Sequence, residues 1–259
     1  MSFNIAVAGK GGTGKTSVTT MVIRYLLKKG AGPILAIDAD PNANLGESLG
    51  LDIKQTVGSL IASFNEEKIN IPPGMTKEAY LDVKMNEAIV EAKGIDLVTM
   101  GRGEGPDCYC YPNVILRKFA DTLSGNYPYM VMDNEAGMEH LSRRTTQNVD
   151  ELLLISDHSV KGIRTIARIK ELVEELKLEV KRQSVLINLV PDGLDPMVAN
   201  EMSRLGIEAA AIIPLDDEVY QYDIQLKPLK PLLELPDSSK AVQAVDSLMT
   251  NLLGVKGAK

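Results

Sequence analysis

The sequence predicts an α/β fold in which a mostly parallel central sheet of seven or eight strands carries helices on both faces. Short apolar runs alternate with longer amphipathic stretches along the whole chain, and this alternation is typical of parallel sheets built from strand–helix units. The strand candidates are continuous apolar runs, as expected for strands buried on both faces. No linker, repeat or low-complexity segment divides the 259 residues, so we expect a single domain over residues 1–259.

Each element has its own sequence signal. Long amphipathic stretches predict helices at residues 16–30, which end in Lys-Lys-Gly, and at 160–178. Residues 238–253 predict a C-terminal helix capped by Ser238 or Ser239. Residues 55–92 interrupt the alternation with a Pro-Pro-Gly turn and two short helices, and residues 101–112 form a loop directly after a strand. The predicted strands cover residues 3–8, 33–38, 94–100, 129–133, 151–156, 184–190 and 208–214.

Composition and charge exclude several classes of function. The formal net charge of −7 argues against a protein that coats nucleic acid or binds membranes through a polybasic surface. The N-terminus carries no basic leader, and its apolar run is too short to span a bilayer. Two cysteines make no disulfide framework. We therefore expect a cytoplasmic protein without nucleic-acid partners or stable membrane association.

A glycine-rich segment, GKGGTGKT at residues 9–16, follows the first predicted strand and opens the first long helix. It fits the G-x-x-x-x-G-K-[ST] phosphate loop (P-loop) in the strand–loop–helix context that this motif requires. Its glycines let backbone N–H groups turn toward one anion, Lys15 reaches the β- and γ-phosphates, and the Thr16 hydroxyl can bind Mg²⁺. The alternative is a glycine-rich turn that binds nothing. The residues predicted to contact ATP or ADP here are Gly11, Gly12, Thr13, Gly14, Lys15, Thr16 and Ser17.

A second lysine, Lys10, precedes the glycines in the form KGGTGKT. This form resembles the deviant Walker A motif of the MinD/NifH/ArsA class of P-loop ATPases. The resemblance implies that Lys10 crosses a homodimer interface and contacts the nucleotide phosphates of the other subunit. From the sequence alone, Lys10 could equally be a solvated loop lysine.

Two predicted strands end in carboxylates. The segment AIDADPNANL places Asp38 and Asp40 just past a strand, where they suit metal organisation and water positioning near the γ-phosphate. In the resembling class this segment is switch I, which implies that Asp40 orients the attacking water and that Asp38 supports Mg²⁺. The alternative for Asp40 is an Asx-Pro turn. The run YMVMD resembles a Walker B strand and predicts Asp133 near Mg²⁺, with Gly137 in a following switch II segment.

The nucleobase site is expected at the last two strands. In the resembling class, an Asn at the position of Asn188 hydrogen-bonds adenine, and the segment IPLDDEV lines the other edge through Pro214, Leu215 and Asp216. The alternative is a buried Asn that caps a turn at the end of its strand.

The segment GPDCYCYP holds the chain's two cysteines, Cys108 and Cys110, with one residue between them. A thiolate pair is half of a tetrahedral soft-metal site. A closed site within one chain would need His or carboxylate side chains as further ligands, whereas two-fold symmetry in a dimer would bring four sulfurs to one axis. The alternatives are incidental loop cysteines, or a strained local disulfide used in redox sensing.

Four segments together sharpen the resemblance: KGGTGKT, DADPNANL, GPDCYCYP and DNEAGMEHLSRR. Over essentially the full chain they look like the CooC/AcsF family of nickel-insertion ATPases, which mature carbon monoxide dehydrogenase and acetyl-CoA synthase. The resemblance implies an ATP-dependent homodimer in which Cys108 and Cys110 bind one Ni²⁺ or Zn²⁺ per dimer for delivery to such a client enzyme.

Three other functions use some of the same features. A MinD/ParA-type positioning ATPase would add an amphipathic membrane helix or a basic DNA-binding surface, and the tail from residue 245 is poor in Lys and Arg. A NifH-like electron-transfer ATPase would hold an iron–sulfur cluster on four cysteines from two chains, which usually lie far apart in sequence. A redox sensor would respond to oxidant and not to nickel.

Overall fold

A computed structural model of the chain describes residues 2–66, 71–102, 118–119, 121–123, 125–135, 148–224 and 231–254. Ten strands lie in this part of the chain: β1 Phe3–Gly9, β2 Ile34–Ala39, β3 Val90–Ala92, β4 Ile95–Thr99, β5 Tyr129–Asn134, β6 Asn148–Val149, β7 Glu151–Asp157, β8 Glu179–Val180, β9 Gln183–Val190 and β10 Ala209–Pro214. The helices there are α1 Lys15–Lys28, α2 Asn44–Leu49, α3 Val57–Glu66, α4 Lys77–Glu87, α5 Val160–Glu175, α6 Pro196–Arg204, α7 Asp217–Ile224 and α8 Lys240–Gly254, with a 3₁₀ turn at Leu232–Glu234.

The central sheet has eight strands in the order β10-β9-β7-β1-β5-β2-β4-β3. Every neighbouring pair is parallel except β3 with β4. All seven predicted strands lie in this sheet, so the predicted α/β class is confirmed. The short strands β3, β6 and β8 were not predicted, because runs of two or three residues carry too little periodicity to detect.

Helices cover both faces because side chains alternate along each strand. In β1, Ile5 and Val7 pack into an apolar cluster with α1 and α8, whereas Ala6 and Ala8 face a second cluster with α5 and α6. A third cluster packs α3 and α4 against β2 and β5, for example through Leu35. Residues 57–66 and 77–87 are the two predicted short helices, and they cover this part of the sheet.

The C-terminal helix α8 packs its apolar side against the protein itself. Ser239 precedes its first residue, and its hydroxyl oxygen accepts a hydrogen bond from the Val242 N–H at 3.2 Å, which confirms the predicted cap. In the described ranges, no helix combines the length and apolar character that a bilayer crossing needs. The buried side chains of α8 are Ala241, Val242, Val245, Leu248, Met249 and Leu252.

The last residue of β1 lies unusually close to its neighbour β7. Gly9 is opposite Ile155 in the parallel register. A Cβ atom at Gly9 would lie 2.2 Å from the carbonyl oxygen of Ile155. That oxygen belongs to the backbone of a central strand and cannot rotate away, so β1 must end in glycine for the next segment to begin where it does.

We predict that Gly9→Ala destabilises the protein, because either β1 or β7 must shift to accept the added methyl group. The free energy of unfolding should fall by about 2–3 kcal/mol, measured by urea denaturation. The matched control is Gly125→Ala, where no heavy atom lies within 4 Å of the added Cβ. Equal stability of the Gly9 variant and the control would contradict the close approach.

Candidate functional site

The predicted site residues gather at one edge of the sheet. Because β1, β2, β5, β7, β9 and β10 run parallel, their carboxyl ends meet at the same edge, where ligands bind in open α/β sheets. The segment 10–14 leaves this edge from β1, and Asp38, Asp133, Asn188 and Pro214 lie at or near the ends of their strands. The structure thus brings together residues that are up to 204 positions apart in sequence.

Two side chains of the phosphate loop contact a carbonyl oxygen of the same loop. The buried Thr13 hydroxyl donates a hydrogen bond to the Lys10 carbonyl oxygen at 2.8 Å, and Lys15 Nζ lies 3.4 Å from the same oxygen. Gly12 and Gly14 have φ values of +78° and +81°, the left-handed region that residues with a Cβ avoid. The chain then enters α1 at Lys15, and no side chain caps the start of this helix. Its first N–H groups can therefore bind an anion.

The remaining loop residues differ in their exposure to solvent. Gly11 and Gly12 are exposed, Lys10 is half-buried, and Ser17 is half-buried in the first turn of α1. Lys15 is buried, and this burial lowers the pKa of its ammonium group, although Asp133, Asp40 and Glu135 act in the opposite direction.

Asp38 and Asp133 lie side by side on adjacent strands. They are opposite each other in the register of β2 and β5, and both are almost completely buried. The Thr16 hydroxyl donates to Asp133 Oδ2 at 2.6 Å, which ties α1 to β5. The two oxygens of Asp38 accept N–H groups from Asp40 at 3.1 Å and Leu45 at 2.9 Å, which fixes the chain that follows β2.

Burial raises the pKa of both carboxyl groups. Desolvation raises the pKa of Asp38 to about 7, against the opposing effect of its hydrogen bond from the Leu45 N–H. Desolvation also raises the pKa of Asp133 to about 6, against the opposing effects of Thr16 and Lys15. A cation bound between these two neighbouring carboxyl groups would stabilise their ionised form.

This donor set fits Mg²⁺. The hydroxyl of Thr16 and the carboxylates of Asp38 and Asp133 are hard oxygen donors, and Mg²⁺ is usually held by one or two carboxylates together with substrate phosphates. Within the described ranges, no group of three or more His, Cys, Asp and Glu side chains could hold a metal ion by itself. Two protein carboxylates beside a phosphate loop therefore match a magnesium–nucleotide site better than a protein-only metal cage.

Asp40 forms the predicted turn, and it does so inside the site. Its Oδ1 accepts hydrogen bonds from the backbone N–H of Asn42 at 2.8 Å and from Asn42 Nδ2 at 2.9 Å. The side chain of Asn42 in turn accepts a hydrogen bond from Arg102 Nη2 at 3.3 Å. Asp40 therefore forms the turn that was the alternative prediction and also lies near Lys15, because its charge raises the pKa of the Lys15 ammonium group.

The residues predicted to contact the base differ in burial. Asn188 is buried and donates from Nδ2 to the Thr13 carbonyl oxygen at 2.9 Å. Leu215 is 52% exposed, and its N–H is bonded to the Val190 carbonyl oxygen, which holds the segment after Pro214 next to β9.

Asp216 is committed to helix ends. Its Oδ2 accepts the Ala241 N–H at 2.9 Å and the Ser239 hydroxyl at 2.8 Å, and its Oδ1 accepts the Glu218 N–H at 2.9 Å. Burial alone would raise its pKa, but these hydrogen bonds outweigh burial and lower it. These contacts hold the Asp216 carboxylate within the protein, whereas the neighbouring Leu215 side chain is exposed.

Several predicted positions lie outside the described residues. They include Cys108, Cys110 and Gly137, together with most of the switch II segment. The described chain leads to the cysteine segment through Met100, whose N–H donates to the Asp38 carbonyl oxygen at 2.8 Å, and through Arg102.

Sequence reasoning missed two residues that shape this site. The Thr19 hydroxyl, buried one turn after Thr16, lies 3.3 Å from Asp133 Oδ1. Asn134 Nδ2 donates to the Val7 carbonyl oxygen at 2.9 Å and joins β5 to β1. A helical spacing of three between Thr16 and Thr19 was a usable signal, because such residues share one face.

Comparisons with known proteins agree with this geometry. The family model described as the CobQ/CobB/MinD/ParA nucleotide binding domain matches residues 5–229. The chain is 42% identical to an uncharacterized ATP-binding protein of Methanocaldococcus jannaschii over 97% of this chain and 99% of that one. It is 29% identical to the carbon monoxide dehydrogenase accessory protein CooC of Rhodospirillum rubrum over 68% of this chain and 70% of that one.

A solved structure has the same fold. The septum site-determining protein MinD of Pyrococcus horikoshii, complexed with Mg-ADP, superposes with a TM-score of 0.72 at 19% identity. The match covers 99% of this chain and 98% of that one.

We predict that the metal-free protein loses stability through the buried acids as pH rises from about 4 to 7. In this window the unfolded chain releases protons that folded Asp38 and Asp133 retain, so the free energy of unfolding decreases. Asp133→Asn removes one such group. The free energy of unfolding of the variant minus that of the wild type should therefore increase by about 2 kcal/mol from pH 4.5 to pH 7.5. Both values are measured by urea denaturation in EDTA.

The control is Asp52→Asn, which changes an exposed carboxylate. Its stability relative to wild type should be the same at both pH values. A constant difference for Asp133→Asn, or one that moves in the other direction, would show that the raised pKa values are wrong.

Proposed function

The chain belongs to the CobQ/CobB/MinD/ParA nucleotide-binding domain family, and we propose that within this family it is an ATPase that delivers nickel to a client enzyme. The client would be carbon monoxide dehydrogenase or acetyl-CoA synthase. The single observation that carries the proposal is the position of Arg102, six residues before Cys108 in the sequence: it follows the end of β4 and contacts Asn42, which binds Asp40 beside the phosphate loop. The relationship to CooC supports the same conclusion.

The nucleotide half of the proposal uses the site described above. ATP phosphates lie over the N–H groups of the 9–16 loop and contact Lys15, while Asn188, Pro214, Leu215 and the backbone of Asp216 surround adenine. Thr16, Asp133 and Asp38 would hold Mg²⁺, which neutralises phosphate charge when bound. Asp40 orients the water that attacks the γ-phosphorus, and ADP is the leaving group. Lys10 reaches the nucleotide of the second subunit in a homodimer.

The proposed metal site is supported by the short distance along the chain between Arg102 and Cys108 and by one hydrogen bond of Arg102. Cys108 is six residues after Arg102, so the two Cα atoms lie within about 20 Å of each other. Arg102 contacts Asn42, which holds the Asp40 carboxylate. A change of nucleotide that moves Asp40 is therefore passed directly to the start of the cysteine segment. In the dimer, two such segments supply four thiolates to one Ni²⁺ or Zn²⁺, the cargo.

The described part of the chain gives less support to a positioning ATPase of the MinD/ParA type. Such a protein would need a free amphipathic helix or a basic surface. The apolar side of α8 is instead buried against the sheet and α1. The extent of the domain, residues 1–259, and the cytoplasmic location stay predictions.

We predict that nickel binding depends on both cysteines. Native mass spectrometry of the wild type with Ni²⁺ should show a dimer that carries one metal ion, and Cys108→Ser/Cys110→Ser should carry none, because serine is a poor ligand for a soft metal. His158→Ala, which removes an exposed imidazole, is the control and should keep the metal. Metal retained by the double variant would contradict the proposed site.

We predict that Asp40→Ala slows ATP hydrolysis without preventing ATP binding. The loss of a water-orienting carboxylate should lower kcat by about 100-fold or more, measured by phosphate release. ATP-bound dimer should then accumulate, measured by size-exclusion chromatography with light scattering. Asp52→Ala should hydrolyse ATP at the wild-type rate. Unchanged hydrolysis in the Asp40 variant would remove this residue from the mechanism.

A further inference from the structure

We infer that Asn188 is a positioning residue for phosphate binding, in addition to any contact with the base: its side-chain amide sets the orientation of the phosphate loop. The inference rests on the proposed nucleotide binding. It starts from the hydrogen bond that Asn188 Nδ2 donates to the Thr13 carbonyl oxygen at 2.9 Å. Both residues are buried, at 4% and 0% exposure, so neither group can exchange this partner for bulk water without a large rearrangement.

The space around Gly14 is shaped for this amide. A Cβ atom at Gly14 would lie 2.4 Å from Asn188 Nδ2. The amide therefore occupies the place that a side chain at position 14 would take. Glycine at this position has two roles: it accepts a φ of +81°, and it lets the end of β9 approach the loop.

The backbone of β9 is distorted where it presents Asn188. Ile212 of β10 is opposite Ile187, but Pro214 is opposite Val190, so β9 carries one extra residue between these pairs. Such a bulge re-aims side chains and is common next to functional sites. Leu189, inside the bulge, has a φ of +59°, a conformation that is unfavourable for a residue with a branched side chain.

The bulge separates two tasks of β9. Ile187 and Val190 both pack into the apolar cluster with α5 and α6, although three positions in a regular strand would put them on opposite faces. Asn188 between them is left to face the phosphate loop. The Val190 carbonyl oxygen accepts the Leu215 N–H, so the segment predicted to line the base is attached to the same bulge.

The hydrogen bond has a geometric consequence for phosphate binding. The C=O of Thr13 and the N–H of Gly14 belong to one planar trans peptide and point in opposite directions. Because Asn188 holds the Thr13 carbonyl group toward β9, the Gly14 N–H points away from β9. Asn188 thereby turns a loop N–H group outward before any ligand binds, which reduces the ordering that binding requires.

The test compares ligands with and without a base. Asn188→Leu keeps the branched outline of the side chain at a larger volume but has no donor, and Asn188→Ala is smaller and less prone to clash. Isothermal titration calorimetry would measure the affinities for ATP, GTP and inorganic tripolyphosphate, each with Mg²⁺, and circular dichroism would measure the melting temperature. The matched control is Ser184→Ala, a buried polar residue near the start of the same strand, four positions before Asn188 and opposite Leu153 of β7.

Both Asn188 variants should bind tripolyphosphate about tenfold more weakly than wild type, as expected for the loss of one buried hydrogen bond. The control should bind it normally. Wild-type affinity for tripolyphosphate, with only the preference for ATP over GTP lost, would overturn the inference and leave Asn188 as a base contact. Wild-type affinity for all three ligands with a lower melting temperature would reduce Asn188 to a structural role. A wild type that binds no ATP would overturn the proposed function as well.

Discussion

The burial of two neighbouring carboxyl groups is the constraint on which this sheet edge depends. Asp38 and Asp133 are almost completely inaccessible, and burial raises the pKa of each. Such burial costs free energy in the empty protein. The surrounding contacts reduce this cost and shape the site at the same time, because Thr16 ties Asp133 to the first turn of α1 and Leu45 ties Asp38 to the chain after β2.

The phosphate loop is held against the sheet from two sides. At its start, Gly9 lies so close to the Ile155 carbonyl group that no side chain fits. Just before α1, Asn188 donates a hydrogen bond to the Thr13 carbonyl oxygen. Strained backbone accompanies this arrangement: Leu189 and Ala43, which lie beside the loop and beside Asp40, both have left-handed φ values. Backbone strain of this kind concentrates at functional sites, where the surrounding structure enforces it.

The sequence predicts the sheet and most of the site because these features leave strong local patterns. Seven apolar runs mark the buried strands, and the glycines and Lys15 mark the loop. The bulge at Leu189 leaves no such pattern, since leucine rarely adopts a positive φ. The commitment of Asp216 to two helix ends likewise depends on tertiary contacts with Ser239 and Ala241. Residue propensity and the spacing of residues along the chain indicate local structure. They do not predict hydrogen bonds between residues that are far apart in the sequence.

The proposed function requires that the nucleotide and metal sites influence each other. The contacts from Asp40 through Asn42 to Arg102 give a physical route toward the segment that holds Cys108 and Cys110 in the sequence. Such a route matters only when the two nucleotide states differ in their affinity for metal. The most direct test is calorimetric measurement of the Ni²⁺ dissociation constant in nucleotide-free, ADP-bound and non-hydrolysable ATP-analogue-bound protein. The Ni²⁺ dissociation constants of the ADP-bound and ATP-analogue-bound protein should differ by about tenfold or more. Equal affinities in all three states would contradict the proposed function.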